Sequence, residues 1–425
     1  MKLLIKNGRV VDPASKIDET LDILIDKGKI VDLKALINAE GAKTIDASRL
    51  VVAPGFIDLH VHLREPGQEV KETIQSGSMA AAKGGFTSIC CMPNTNPVND
   101  NRGVTEYILS EAKKRALVNV FPIAAITRGL QGTELTDMAD LVEAGAVAFS
   151  DDGDPVQNSL VMRRALEYSQ SLDTLIIDHC EDKNLSEEGV MHEGYYSYLF
   201  GLRGIPSSSE EVMVARDLIL AEKTSARIHI AHLSVKGAIR FIQEAKEKKV
   251  RATTEVTPHH LLLTDAALET YDTNLKVNPP LRSKEDVQAL VKAVKAGIVD
   301  IIVTDHAPHT PEEKDVEFDK APFGINGLET AVSLILDRFV NKNIITLPRF
   351  IEMMSSTPAQ ILGRQDKGKI CVGADADLTI LNLHKEIVVD VHQFLSKSRN
   401  NPFHNWKLKG VPVMTIVGGK IVYPS

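Results

Sequence analysis

The chain has 425 residues, a formal net charge of −8 at pH 7 and 43% hydrophobic residues. This length suits one large domain with a modest second one, and the acidic balance argues against a general nucleic-acid-binding role. No apolar run reaches the roughly 18 residues of a membrane span, and the first residues do not resemble a secretory signal. Four cysteines without CxxC spacing predict reduced thiols and a cytoplasmic location.

The chain divides into three regions by pattern. Residues 1–50 contain short β-type runs with hairpin-like turns, and residues 366–425 return to such runs around Gly418 and Gly419. Between them, residues 51–365 alternate short apolar runs with amphipathic segments, a pattern typical of a parallel sheet. We therefore expect a central domain, plus a small β-sandwich-like domain formed by both termini.

Eight strands are predicted in the central region, with helical segments between most of them. Helical periodicity is clear over 210–224 and 235–248. Eight such units over about 250 to 300 residues match a (β/α)8 barrel of the TIM type, an α/β fold. A doubly wound sheet is the alternative, but no strand is followed by a Gly-rich dinucleotide turn. The predicted strands cover roughly 52–62, 87–93, 120–127, 147–152, 174–180, 227–234, 251–258 and 300–306.

The first predicted strand ends with two histidines. His60 and His62 are two residues apart, so their imidazoles should project from the same face of the strand. Active sites of such barrels lie at the carboxyl ends of the strands, and an imidazole pair there is half of a typical zinc site. Because this spacing also arises by chance, the prediction depends on further ligands elsewhere.

Further candidate ligands follow four other predicted strands. They are Asp152, His179, His232 and Asp305. Strand alternation favours Asp152 over Asp151, which shares the side of the large apolar residues and would serve as a turn or cap residue. The same argument favours His232 over His229. We interpret His229 as a structural histidine and His306 as a supporting or loop residue.

Taken together, these motifs resemble the signatures of the dihydroorotases of pyrimidine biosynthesis, in particular the longer bacterial type. The resemblance runs through the whole chain in order. It implies a cyclic amide hydrolase that interconverts N-carbamoyl-L-aspartate and L-dihydroorotate. The matching blocks are PGFIDLHVHLREPG at 54–67 and shorter runs at 92–97, 178–181, 277–282, 304–309 and 323–330.

The resemblance also implies a zinc site. His60, His62 and Asp305 would hold one ion, His179 and His232 a second, and Asp152 would bridge them. Many members of the wider amidohydrolase superfamily bridge with a carboxylated lysine, but no lysine lies at the end of this fourth strand. Two zinc ions are expected, with a single tightly held ion as the alternative. Asp305 would act as general base and then as general acid.

A substrate-binding set follows from the same resemblance. Arg64 lies just beyond the first strand, and its guanidinium fork suits a planar carboxylate. Taken alone, Arg64 would be interpreted as a surface ion pair with Glu65 or Glu69, and the resemblance reverses that interpretation. The full implied set is His62, Arg64, Asn94, Asn278, His309, Phe323 and Gly324, the last two through their backbone.

Other functions and the partners stay open at this point. An allantoinase or dihydropyrimidinase would share the barrel, but the missing lysine and the presence of Arg64 with Asn94 argue against them. An inactive structural partner of aspartate carbamoyltransferase is disfavoured because all six ligand positions carry ligand-type residues. We expect a small-molecule substrate, a homodimer or larger oligomer, and no nucleic-acid or membrane partner. Association with that transferase stays open, as does whether residues 188–204 form a lid or an interface.

Overall fold

The computed structural model describes residues 2–424 and contains two large sheets. The strands are β1 Leu3–Asp12, β2 Ile17–Asp26, β3 Lys29–Lys34, β4 Lys43–Asp46, β5 Val51–Pro54, β6 Phe56–Val61, β7 Phe86–Cys91, β8 Asn119–Ala124, β9 Ala148–Phe149, β10 Leu175–Asp178, β11 Met191–His192, β12 Gly204–Ile205, β13 Arg227–Ile230, β14 Ala252–Val256, β15 Ile301–Ile302, β16 Leu378–Val388, β17 Lys407–Val417 and β18 Lys420–Tyr423.

Helices fill most of the connections between the central strands. They are α1 Ile74–Gly84, α2 Arg102–Arg115, α3 Met138–Ala144, α4 Ser159–Ser171, α5 Lys183–Ser186, α6 Tyr195–Phe200, α7 Ser207–Thr224, α8 Lys236–Glu247, α9 Pro258–Leu262, α10 Lys284–Lys295, α11 Pro311–Lys314, α12 Ala331–Ile335, α13 Leu347–Ile351 and α14 Thr357–Ile361. The helices expected over 210–224 and 235–248 are α7 and α8. In α8 the buried residues Ala238, Ile242 and Ala245 recur at helical spacing and face the barrel. No helix among residues 2–424 is long and apolar enough to cross a membrane.

The central sheet is an eight-stranded parallel barrel, as predicted. Its strands follow one another in chain order from β6 to β15, leaving out β11 and β12, which pair only with each other. A parallel bridge between Val61 and His306 joins the first strand to the chain beyond the eighth. The strand predicted over 52–62 is divided. Val51–Pro54 pairs with β1 and β16 of the other sheet, and only Phe56–Val61 belongs to the barrel.

The second sheet combines strands from both ends of the chain. Its order is β18-β17-β16-β5-β1-β2-β3, and β4 pairs with β1. Ile5 and Ile23 from the first part share one apolar core with Leu378 and Ile416 from the last part. Residues more than 350 positions apart therefore depend on one another for burial.

A crossover segment, residues 389–406, connects β16 to β17 by way of the barrel mouth. Phe394 and Phe403 of this segment are buried in a cluster with Ile325 and Leu334 of the barrel. The carboxylate of Glu329 accepts hydrogen bonds from the backbone N–H groups of residues 395 and 396. The loop between β16 and β17 of the small sheet therefore packs at the end of the barrel where the predicted site lies.

Candidate metal centre and substrate pocket

A pocket of about 390 Å³ opens at the carboxyl ends of the barrel strands. Its lining includes eleven of the twelve sequence-predicted site residues. These predicted residues are His62, Arg64, Asn94, Asp152, His179, His232, Asn278, Asp305 and His309, with Phe323 and Gly324 also at the wall. His60 lies beneath them and is fully buried. Side chains from distant stretches of sequence therefore meet at one place.

The six predicted ligands converge around Asp152. Its carboxylate oxygens lie 3.4 Å from His60 Nε2 and 3.5 Å from His62 Nε2. His179 Nδ1 is 3.6 Å from Asp152 Oδ1, and His232 Nε2 is 3.8 Å from the same oxygen. Asp305 Oδ1 lies 3.2 Å from His62 Nε2. This arrangement puts Asp152 between two groups of nitrogen donors.

Asp151 faces away from this cluster. Its Oδ1 accepts hydrogen bonds from the backbone N–H groups of Ile126 and Thr127, and its Oδ2 accepts one from the Thr127 hydroxyl. Those contacts hold the loop after β8 against the loop after β9. The adjacent aspartates therefore divide into one that supports backbone and one that faces the pocket.

Glu255, on β14, is a buried residue of the site that the sequence did not reveal. Its Oε1 lies 2.7 Å from His60 Nδ1, so it can accept that proton and leave His60 Nε2 free to face Asp152. The same oxygen accepts from the backbone N–H of His232, and Oε2 lies 3.0 Å from His229 Nε2. A carboxylate that accepts from the far nitrogen of a histidine fixes its tautomer, a common arrangement behind metal-binding imidazoles.

Of the two histidines at the end of β13, His232 lines the pocket and His229 does not. Strand β13 ends at Ile230, and His232 has a left-handed backbone with φ of 25°, so the alternation stops before it. Glu255 accepts a hydrogen bond from the backbone N–H of His232 and lies 3.0 Å from the His229 imidazole. His229 also pairs with the Thr253 hydroxyl at 2.7 Å, which leaves both of its ring nitrogens satisfied and only His232 facing the pocket.

The charges of the cluster suit a cation. Burial opposes charge on His60, yet the nearby carboxylates of Asp152 and Asp305 raise its pKa well above the usual value. Burial likewise opposes ionisation of Asp152, but the surrounding histidines hold its pKa well below the usual range. The carboxylates of Asp152, Asp305 and Glu255 are therefore buried close together, where a nearby positive charge stabilises their ionised forms.

The donor set also fits a metal ion. Among residues 2–424, His60 Nε2 and Asp152 Oδ1 are buried atoms without a hydrogen-bond partner, which is costly unless something else binds them. His60, His62 and Asp305 offer atoms within 4.8 Å of one another, as do His60, Asp152 and His232. Imidazole nitrogen and carboxylate oxygen are ligands that zinc accepts. These clusters can hold a metal ion.

Three of the predicted site residues have left-handed backbones. They are Arg64 with φ of 62°, His232 with φ of 25° and Asp305 with φ of 46°. Non-glycine residues in this region carry a cost of order 1 to 3 kcal/mol each and cluster at functional sites. Each lies just after a barrel strand has ended, so the backbone turns there and aims the side chain into the pocket.

Arg64 is buried at the pocket wall rather than exposed at the surface. Its Nε donates to the Pro308 carbonyl at 3.3 Å, and its Nη2 lies 3.4 Å from His309 Nε2. No carboxylate among residues 2–424 lies within 4.0 Å of the guanidinium, so ion pairs with Glu65 or Glu69 do not form. Burial lowers the pKa of Arg64 to about 10, and it stays charged at neutral pH. A buried cation without an anion points to an anionic ligand.

Comparison with known proteins places this geometry in a family. The Dihydro-orotase-like family model matches residues 48–238, and an Amidohydrolase family model matches residues 326–423. A dihydroorotase of Pelotomaculum thermopropionicum is 56% identical over 423 residues, covering 99% of this chain and 98% of that protein. A dihydroorotase of Syntrophus aciditrophicus is 53% identical over 425 residues, covering 100% of this chain and 99% of that protein.

The chain belongs to the dihydroorotase family.

Solved structures outside the dihydroorotases share the fold at much lower identity. The L-hydantoinase (dihydropyrimidinase) of Arthrobacter aurescens superposes with a TM-score of 0.90 at 27% identity, covering 99% of this chain and 95% of that one. The dihydropyrimidinase of Brevibacillus agri gives 0.86 at 25%, with the same coverage. Architecture alone would fit either kind of cyclic amide hydrolase, whereas identity above 50% favours the dihydroorotases.

The remaining residues implied by the dihydroorotase resemblance also face the pocket. Asn94 Oδ1 lies 2.9 Å from His62 Nδ1. Asn278 Nδ2 donates to Glu181 Oε2 at 2.9 Å and lies 3.4 Å from His179 Nε2. These contacts orient the imidazoles, so each asparagine holds a histidine and also borders the cavity.

Three further charged residues that line the pocket were not predicted from the sequence: Glu181, Lys183 and Glu187. Glu181 Oε2 lies 3.2 Å from His179 Nε2, as Glu255 does for His60, and also pairs with Lys183 at 2.8 Å. The position of Glu181 in the Asp-His-Cys-Glu block, two residues after His179, was the available signal.

His306 forms no part of the pocket wall and pairs with the buried Glu72 at 3.2 Å, in line with its interpretation as a supporting residue.

Proposed function

We propose that this protein is a dihydroorotase that reversibly closes N-carbamoyl-L-aspartate into L-dihydroorotate with loss of water, in pyrimidine biosynthesis. The observation that carries the proposal is the buried Arg64 guanidinium, which faces the pocket beside the histidine–aspartate cluster without an acidic partner. Both compounds bear a carboxylate that the reaction leaves unchanged, and a guanidinium fork binds such a group with two hydrogen bonds. Allantoin and dihydrouracil have no ring carboxylate for this partner.

We assign His60, His62 and Asp305 to one metal ion and His179 and His232 to a second, with Asp152 between them. The six side chains and their distances around Asp152 support this assignment. Zinc is the proposed metal, with two ions per chain. Zinc held here would polarise the reacting carbonyl as a Lewis acid and make water more acidic.

Asp305 is the proposed proton carrier of the reaction. Burial would raise its pKa, but His60, His62 and His232 hold it below the usual range, so the carboxylate begins ionised. In the hydrolytic direction Asp305 Oδ1 takes a proton from the attacking water and delivers it to the departing ring nitrogen. Such general acid–base catalysis contributes typically about 10² to 10⁴-fold.

The substrate-binding residues would divide the ligand between them. Arg64, Asn94 and His309 would bind the retained carboxylate. Asn278 would bind the edge of the substrate ring opposite to that carboxylate. The backbone at Phe323 and Gly324 would contact the ring amide, for which main-chain N–H and C=O groups are matched partners. The position of these groups around one cavity supports this division.

We further propose the organisation and setting of the protein. The barrel would be one domain over residues 51–365, and residues 1–50 with 366–425 a small β domain. Strand Val51–Pro54 extends that small domain's sheet. Free, buried Cys90, Cys91 and Cys180 suit a reducing cytoplasm. A homodimer or larger oligomer belongs to the same proposal.

The test is an assay of the purified, zinc-loaded protein on dihydroorotate, allantoin and dihydrouracil in parallel. We expect hydrolysis of dihydroorotate, and its formation from N-carbamoyl-L-aspartate, to exceed the other activities by orders of magnitude. The Asp305→Ala variant serves as the blank. A preference for allantoin or dihydrouracil would overturn the proposal, and no bound metal with no activity would favour the structural role.

A further inference from the structure

The crossover segment reaches the substrate side of the pocket through one buried side chain, Asn400. This residue is 3% exposed and lies in the loop between β16 and β17 of the small sheet. Its backbone carbonyl accepts a hydrogen bond from the N–H of Asn326 at 2.9 Å. The rest of the residue points toward the chain beyond β15.

All hydrogen-bonding groups of the Asn400 carboxamide are in use. Nδ2 donates to the Ala307 carbonyl at 3.0 Å and to the Gly324 carbonyl at 2.9 Å. Oδ1 accepts from the backbone N–H of His309 at 3.2 Å and from the Ser398 hydroxyl at 2.7 Å. The side chain therefore ties two separate loops, at 307–309 and at 324, to the crossover segment.

Those two loops form one wall of the pocket. Ala307, His309, Phe323 and Gly324 all line the cavity. His309 Nε2 lies 2.9 Å from the Phe323 carbonyl and 3.4 Å from Arg64 Nη2, so a shift of either loop moves the imidazole relative to the guanidinium. Burial and the nearby Arg64 lower the pKa of His309 to about 3, so the imidazole is neutral and its place depends on hydrogen bonds rather than on charge.

We propose that Asn400 is a positioning residue for substrate binding: its carboxamide holds the 307–309 and 323–324 loops at the spacing at which His309, Arg64 and the Phe323–Gly324 backbone fit the substrate. This inference rests on the proposed function of the pocket. It makes the terminal β domain a contributor to substrate affinity, although no side chain of that domain within residues 2–424 lines the cavity.

Three of the proposed metal ligands are held by contacts that do not involve Asn400. The imidazoles of His60 and His179 contact Glu255 and Glu181, and the backbone N–H of His232 donates to Glu255. Both glutamates belong to the barrel. A change at Asn400 should therefore alter substrate affinity without altering metal content.

The neighbouring residue is a matched control. Asn401 is also 3% exposed, and its Nδ2 donates to the Asn326 carbonyl and the Thr330 hydroxyl. Its Oδ1 accepts from the N–H of Phe403. It thus fixes the same segment with a similar number of hydrogen bonds, but none of its partners lines the pocket. Asn401→Ala should lower the melting temperature and leave the kinetics unchanged.

The experiment compares Asn400→Ala, Asn400→Asp and Asn401→Ala as full-length, zinc-loaded proteins. For Asn400→Ala we expect KM for dihydroorotate to rise about ten-fold, equivalent to about 1.4 kcal/mol, with kcat within about two-fold and zinc content unchanged. Asn400→Asp keeps the acceptor for His309 N–H but sets a carboxylate oxygen against the carbonyls of Ala307 and Gly324. It should raise KM at least as much.

Each outcome has one meaning. If Asn400→Ala behaves as Asn401→Ala, with a lower melting temperature and unchanged KM, the residue is structural and the inference fails. A fall in zinc content with KM unchanged would also overturn it. If Asn400→Ala fails to fold, Asn400→Asp decides the matter through its KM. Failure of the wild-type protein to act on dihydroorotate would instead reject the proposed function itself.

Discussion

Arg64 combines three properties that seldom occur together in one residue: deep burial, a positive charge without an acidic partner, and a left-handed backbone. Each is unfavourable for folding alone. A substrate carboxylate would compensate the charge when it binds. The residue is therefore placed for binding rather than for stability, and its removal should be tolerated by the fold.

We expect Arg64→Ala to raise KM for dihydroorotate about 100-fold, or about 2.7 kcal/mol, because truncation of one partner in a buried charge pair costs about 2 to 5 kcal/mol. The KM of Arg64→Lys should fall between those of the wild type and Arg64→Ala, since a lysine keeps the positive charge but lacks the two-pronged guanidinium. Steady-state kinetics with parallel zinc analysis measure both effects. Unchanged KM at full zinc occupancy would remove Arg64 from the substrate site.

At the scale of elements, Glu255 of β14 connects that strand to β6 and β13. One carboxylate contacts His60 on β6 and both His229 and His232 at the end of β13. It is fully buried, and although burial would raise its pKa, His60 and His229 hold it at about 2. Three strands of the barrel thus meet at one ionised group beneath the proposed metal site.

Glu255→Gln should weaken zinc binding about 10- to 100-fold, as loss of a partner behind metal-binding histidines typically does, while KM at saturating zinc changes little. Competition with a chelator measures the zinc affinity. Glu72→Gln is the matched control, because Glu72 is equally buried and pairs with His306, outside the ligand set. Equal zinc affinities for the wild type and Glu255→Gln would contradict this role.

Strand order and the residues at strand ends were predictable from the sequence, because hydrophobic period and the position of polar residues are local signals. The residues at which the strands end were not predictable in this way. Strand alternation does not extend to His232, because β13 ends two residues before it. Glu255 and Asn400 were not predicted, since their roles depend on side chains and carbonyls that only tertiary folding brings near them.

At the scale of the whole molecule, the cluster at the barrel mouth couples stability to metal binding. The six proposed ligand side chains are all buried, and three of their atoms have no hydrogen-bond partner among residues 2–424: His60 Nε2, Asp152 Oδ1 and His232 Nδ1. A ligand that binds only the folded state stabilises it by about 4.1 kcal/mol at a free concentration about 1,000 times Kd.

Chelation should therefore lower the melting temperature by about 4 °C for a chain of this length, and added zinc should restore it. Differential scanning fluorimetry of treated and reloaded protein measures the shift. In Asp152→Asn, which loses the central charge, the shift should shrink. An identical melting temperature with and without zinc in the wild type would count against a buried metal site.

The crossover segment also has a consequence for the order in which the protein matures. Ribosomes deliver the chain from its N-terminus, so every proposed ligand, the last being Asp305, has been synthesised well before Asn400 appears. The ligand side chains of a nascent barrel can therefore come together before Asn400 is available to hydrogen-bond the loops at 307–309 and 324. Metal acquisition can then precede substrate recognition.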